Sequence, residues 1–146
     1  MRIRTVATAL AVAGVTLVAA APANAQSYYD HKDPYRTGCG NTARVVKKAD
    51  ITSRANGTVG TVRLMWSSRC KTNWTEISVS STARGSVRVY TNRSSDTFRF
   101  KAGNHGRHWG NMLRAPGVCA WGAASIQWGT GAGGQNGAGV TAKACR

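Results

Sequence analysis

Three histidines, His31, His105 and His108, and five carboxylates, Asp30, Asp33, Asp50, Glu76 and Asp96, make up the imidazole and acidic inventory of this 146-residue chain. Cleaving a phosphodiester needs a base, an acid and a cation that holds the phosphate. Glu76, His105 and His108, with Arg107 or Arg88, are the residues that could fill those roles. Their spacing does not impose the grouping. His105-Gly106-Arg107-His108 reads as a glycine-rich turn, and a metal there would lack further ligands. No G-x-S-x-G elbow marks a serine nucleophile, and no C-x-x-C pair marks zinc. The run from Gly129 to Gly139, with six glycines in eleven residues, lacks the Lys-Ser or Lys-Thr of a phosphate loop. It reads as a flexible loop between the last two strands, and no metal or cofactor is expected.

The second chemistry on offer is attraction to anions. Twenty Lys and Arg face the five carboxylates, a net charge of +15. Such a field draws in nucleic acid, anionic envelope polymers or acidic proteins. The cations are scattered, with no arginine-rich arm. If the strands carrying Arg63, Arg88 and Arg99 are neighbours, Arg63, Arg88, Arg99 and Lys101 would line up with Tyr90 among them, pairing charge with a stacking ring. Otherwise the same charges simply protect strand edges from aggregation.

Met1-Arg2-Ile3-Arg4, an apolar run from Val6 to Ala21 and the Ala23-Asn24-Ala25 site together read as a secretory signal peptide. The run is too short and too rich in small residues for an anchor. The expected organisation is a leader over 1–25 and one domain over 26–146. Two of the twenty cations fall in the leader, leaving eighteen against all five carboxylates. Cys39, Cys70, Cys119 and Cys145 are an even set in an exported chain and predict two disulfides. Three pairings are open; Cys39 with Cys70 and Cys119 with Cys145 is preferred, because each joins neighbouring segments.

Alternation of apolar and polar residues predicts how these groups are held. Val62, Leu64 and Trp66 share one face of a strand, opposite Arg63, Met65 and Ser67. The same period recurs at Trp74 to Val79, Val87 to Tyr90, Phe98 to Lys101 and around Cys119 to Trp121, and more weakly at Ser125 to Trp128 and Val140 to Ala144. Ala43, Val46 and Ala49 recur at helical spacing, so one short helix is expected from Asn41 to Ala49. The expected fold is mainly β, a small antiparallel sandwich or barrel with that one N-terminal helix and two disulfides. Tyr28-Tyr29-Asp30-His31-Lys32-Asp33-Pro34-Tyr35 should be an irregular arm tied down at Cys39, with Asp33 capping a turn.

Three motifs are specific enough to suggest a family: Asp33-Pro34-Tyr35-Arg36-Thr37-Gly38-Cys39, Leu64-Met65-Trp66-Ser67-Ser68-Arg69-Cys70-Lys71-Thr72-Asn73-Trp74, and Trp109-Gly110-Asn111-Met112-Leu113-Arg114-Ala115-Pro116-Gly117-Val118-Cys119-Ala120. With them the chain resembles domain-of-unknown-function family 2690, small exported domains of actinobacteria and other Gram-positive bacteria. The resemblance implies export and no particular activity. Members often carry a basic residue two positions after the tryptophan of the C-x-T-N-W signature, where this chain has Glu76.

Two uses of the second motif are open. Thr72 and Asn73 could hold a tight turn that sends Trp74 into the core beside a disulfide, or Asn73 and Trp74 could offer a hydrogen-bonding pair and a flat surface to a sugar or peptide. The first functional reading is a secreted, basic, non-catalytic binding module at the cell envelope or in an exported assembly. Its partner would be an anionic envelope polymer or an exported protein, met by Tyr28, Tyr29, Tyr35 and the basic stripe. The second is an antibacterial ribonuclease-type toxin acting on nucleic acid. A protease inhibitor is the third, suggested by size, disulfides and export.

Overall fold

The computed structural model describes residues 28–129 and 135–145, so the expected leader over 1–25 lies outside the described residues. Ten strands build the domain: β1 (Ala43–Ser53), β2 (Gly57–Ser67), β3 (Thr72–Val79), β4 (Arg84–Thr91), β5 (Ser95–Phe100), β6 (Arg107–Trp109), β7 (Leu113–Arg114), β8 (Cys119–Trp128), β9 (Gln135–Val140) and β10 (Ala144–Cys145). They form one antiparallel sheet in the order β5-β4-β8-β9-β1-β2-β3-β6, with β7 also on β3 and β10 also on β8. A twisted sheet of this size curls on itself. Its two ends meet where Phe100 of β5 stacks on His108 of β6 with ring centres 4.2 Å apart, giving a nearly closed barrel.

The interior follows the alternation in the sequence. Val62 and Leu64 of β2, Ile77 of β3, Val87 and Val89 of β4 and Ile126 of β8 point inward and are fully or almost fully buried, with Ile51, Trp66 and Phe100 filling the space between them. A second, smaller core lies on the outside of the sheet. Met65 and Trp74 are register partners on the outer face of β2 and β3, and they pack with Met112, Cys39 and Cys70 beneath Tyr29 and Trp109. The N-terminal arm is what covers this outer core. Asp33 Oδ1 accepts the backbone N–H groups of Tyr35 and Arg36 at 2.8 and 3.0 Å, closing the capped turn. The Cys39–Cys70 disulfide pins the arm's far end, and Cys119–Cys145 joins directly opposed residues of β8 and β10. In the loop-entropy model each bridge contributes about 3.5 kcal/mol.

Two local expectations are corrected. No α-helix occurs among the described residues, and Asn41–Ala49, expected as a helix, is a short 3-10 turn followed by β1. The three-residue spacing that suggested a helix comes from a β-bulge. Val45 faces Met65 and Lys47 faces Leu64, so Val46 is an extra residue that shifts the alternation by one. Ala43, Val46 and Ala49 do not share a face: they pack against three different clusters. The Gly129–Gly139 run is not all loop either, because β9 starts at Gln135 and pairs with β8 from Trp128 to Ala123. Its glycines permit close approach to β1: a β-carbon on Gly139 would stand 2.5 Å from the Asp50 carbonyl oxygen.

That contact yields a test. Gly139→Val forces β9 away from β1 and should destabilise the fold by about 1–3 kcal/mol in urea unfolding. The same change at Gly57, whose added β-carbon meets nothing within 4 Å, carries only backbone strain from its φ of +66° and should cost less.

Candidate functional site

Besides the Lys32–Tyr28 contact within the arm, cations and rings gather at three places around the barrel. The first lies under the arm, on the outer face of β2, β3 and β6. Glu76 of β3 is 4% exposed and sits between Arg63 of β2 and Arg107 of β6. Arg107 donates from Nε to Oε1 at 3.0 Å and from Nη2 to Oε2 at 3.2 Å, and Arg63 Nη2 approaches Oε1 at 3.3 Å. The Tyr35 hydroxyl donates to Oε2 at 2.5 Å and accepts from Arg107 at 2.6 Å. The Arg107 guanidinium stacks on Tyr35 and Trp109, and Asp33 accepts the Trp109 indole N–H at 3.1 Å. Burial alone would push the Glu76 carboxyl up, but the hydrogen bonds from Arg107 and Tyr35 and the two cationic charges outweigh it, so it titrates below its usual range. Burial and the Glu76 contact push the Tyr35 phenol up to about 12.

The second place is the outer face of β5, β4 and β8. Tyr90 of β4 and Trp121 of β8 are register partners, stacked with ring centres 5.2 Å apart and planes 9° from parallel. Arg88 reaches the Tyr90 hydroxyl at 3.0 Å, and Lys143 lies 4.6 Å over the Trp121 ring. Arg99, opposite Ser86 in the β4–β5 register, extends the face. Beside it a shallow groove of about 480 Å³ is lined by Arg84, Ser86, Arg99, Ser125, Gln127 and Asn136. Asp96, the acidic residue of these three strands, turns to the other side and pairs with His31 of the arm at 2.5 Å. Among the described residues, Arg84, Arg88, Arg99 and Lys143 form no ion pair.

The third is a groove of about 450 Å³ at the seam of the barrel, where β5 and β6 meet. Phe98, Phe100, His108 and Trp109 form its apolar walls, and Arg99, Lys101, Asn104 and Asp33 its polar rim. His108 faces inward beside Ile77, is 7% exposed, and keeps its Nε2 buried without a hydrogen-bond partner among the described residues. Burial lowers its pKa, favouring the neutral imidazole.

The residues singled out from the sequence are divided among these places. Arg88, Tyr90 and Arg99 do share a face, but Arg63 is separated from them around the barrel and is occupied by Glu76, so the four-residue stripe does not form. Its premise fails because β2 and β4 are not neighbours; β8, β9 and β1 lie between them. Asn73 and Trp74 are buried, with Asn73 donating to the Met65 carbonyl at 2.6 Å, and present no recognition surface. The arm is not an exposed aromatic docking element either: Tyr28 is 59% exposed, whereas Tyr29 and Tyr35 are packed down by the outer core. Of the nuclease candidates, Glu76 and Arg107 touch, but His108 lies on the opposite face of β6 and His105 projects from an exposed left-handed turn. Trp121 and Lys143 complete the second face and were not singled out. Lys143 lies far along the chain, in a segment with weak alternation, and the Thr141–Gly122 hydrogen bonds and the β10 pairing with β8 bring it over the ring.

Comparison with known proteins places these features in context. The family described as "Protein of unknown function (DUF2690)" matches residues 27–118. The matched region takes in the arm, the Glu76 cluster and the seam, and it stops before Cys119. The "Uncharacterized protein YjfA" of Bacillus subtilis (strain 168) is 37% identical over 73 residues, which is 49% of this chain and 46% of that protein. The chain thus spans about half the length of that relative. No solved structure matches.

The buried carboxylate makes two measurable demands. Because its folded pKa is depressed, the stability Glu76 supplies is complete above its unfolded value, near 4.5, and is lost as pH falls through the folded one. Glu76→Gln should therefore be less stable than wild type by about 2–4 kcal/mol at neutral pH, with the gap narrowing in urea melts run progressively below that value. In an alkaline absorbance titration one tyrosine should ionise near 12, and Tyr35→Phe should remove that step.

Proposed function

The chain belongs to the family of proteins of unknown function DUF2690, and on that footing we propose that it is an exported, basic, non-catalytic module that binds an anionic polymer of the cell envelope. One observation carries this reading. On the outer face of β5, β4 and β8, Arg88 and Lys143 lie against the stacked Tyr90–Trp121 pair, Arg84 and Arg99 continue the face along β4 and β5, and no carboxylate projects among them. Unneutralised cations give attraction to any polyanion, and the rings add a flat surface against which a repeating unit can rest. The exposed cations of β1, Arg44, Lys47 and Lys48, offer charge without a ring, and Asp50 stands in the same strand. The two disulfides support an oxidising compartment. No helix among the described residues is long and apolar enough to cross a membrane.

A ribonuclease-type toxin is the second reading, and the contact between Glu76 and Arg107 is the observation in its favour. Against it stands the use of that carboxylate. Both oxygens are occupied by Arg107, Arg63 and Tyr35, beneath the arm, and no imidazole shares its face. A general base must be free to take a proton at the reacting atom.

The leading reading predicts binding of soluble poly(glycerol phosphate) with a marked salt dependence. Arg88→Ala with Lys143→Ala should weaken it about tenfold and flatten the slope of log affinity against log salt by about 1.5, whereas Arg44→Ala with Lys47→Ala changes it little. Equal losses from the two pairs would remove the assignment to this face, and cleavage of RNA by the wild type that Glu76→Gln abolishes would favour the second reading.

A further inference from the structure

The seam groove is a different kind of surface from the basic face, yet the two are joined. Arg99 lines both the groove beside the basic face and the one at the seam, so a chain lying across β5 passes directly from one to the other. At the seam the lining changes from polar to aromatic. Phe98 is 42% exposed on β5, and Trp109 of β6 lines the same groove with its indole N–H already held by Asp33. Around these two rings stand Asn104, whose Nδ2 donates to the Arg107 carbonyl and whose Oδ1 can accept, Asp33, which already accepts three N–H groups and has lone pairs left, and Arg99 and Lys101, which offer charge.

An added peptide strand is the obvious occupant of a seam between two sheet edges, but this seam is too narrow for one. A strand inserted between β5 and β6 needs roughly 4.8 Å on each side. Gly110, just past β6, already lies so close to β5 and β4 that a β-carbon there would stand 3.6 Å from Phe98 Cβ and 3.2 Å from Val87 Cγ2. What fits is a compact unit entering from outside, flat enough to rest on Phe98 and Trp109, edged with hydroxyls for Asn104 and Asp33, and bearing an anionic group for Lys101 and Arg99. Those are the properties of a pyranose ring carrying a carboxylate.

We infer that the groove lined by Phe98, Trp109, Asn104 and Lys101 is a subsite for one acidic sugar unit, and that the polymer held on the neighbouring face is an acidic glycan. This rests on the reading of the basic face as a polyanion site and specifies its ligand. Phe98 supplies the stacking platform, Lys101 meets the carboxylate, and Arg99 links the subsite to the run of cations on β4 and β8.

Two probes of similar charge separate the subsite from the face: a uronic acid hexasaccharide and a linear polyphosphate, each titrated calorimetrically into the folded mature protein. Phe98→Ala, a change at an exposed ring, should weaken the hexasaccharide about tenfold and leave polyphosphate within about twofold. Lys101→Ala should weaken the hexasaccharide similarly, and Arg88→Ala with Lys143→Ala should weaken both probes. If the wild type binds polyphosphate but not the hexasaccharide, or if Phe98→Ala leaves hexasaccharide binding intact, the subsite is overturned and the polyanion face stands. If the wild type binds neither, both readings fall.

Discussion

Five carboxylates against twenty Lys and Arg set the constraint on which the rest of this surface depends, because where they are placed decides which cations stay free. Glu76 is fixed between Arg63 and Arg107 under Tyr35, Asp33 holds the turn of the arm and the Trp109 indole, and Asp30 accepts the Arg114 backbone N–H at 2.5 Å. Asp96 ties His31 to β5, and Asp50 stays on β1 near Thr58. Four of the five thus hold the arm or the elements it covers. None projects from the outer face of β5, β4 and β8, and the positive potential there is unopposed at close range.

The same placement closes the barrel. A sheet with two free edges is exposed to unwanted pairing. Here the arm runs beside the segment between β6 and β7, its His31 N–H donating to the Met112 carbonyl and the Met112 N–H donating to the Lys32 carbonyl, and the His31–Asp96 contact carries the arm across to β5. Closure is completed in the interior by Phe100 against His108 and by the close approach of Gly110 to Val87 and Phe98. The remaining opening is the aromatic groove. The arm, the Cys39–Cys70 bridge and the Glu76 cluster therefore support the seam.

Much of the fold was legible because its strands alternate cleanly. Val62-Leu64-Trp66 and Trp74 to Val79 are strands as their period predicts, and the pairing of cysteines between neighbouring segments matches the structure. Period alone misled where the backbone departs from regularity. The bulge at Val46 imitates a helical spacing, and the glycines of β9 look like a loop although they serve a close strand crossing. The proposed binding surface was only half legible for a related reason. Arg88, Tyr90 and Arg99 are close in sequence and share two adjacent strands, whereas their partners Trp121 and Lys143 arrive from β8 and the segment before β10, and which strand lies beside β4 is a matter of topology. Asn73 and Trp74 show the converse. A polar residue next to a large ring suggests recognition, but the arm covers the ring and the backbone takes the amide.

In the proposed function an anionic polymer lies on the outer face of β5, β4 and β8. Arginine footprinting tests it most directly: the protein is treated with an arginine-modifying dicarbonyl, with and without saturating anionic polymer, and the modified sites are read by mass spectrometry. Protection of Arg84, Arg88 and Arg99, with Arg44 and Arg54 modified as before, is the predicted result. Protection spread evenly over Arg44, Arg54 and Arg88, or none at Arg88 and Arg99, would contradict it.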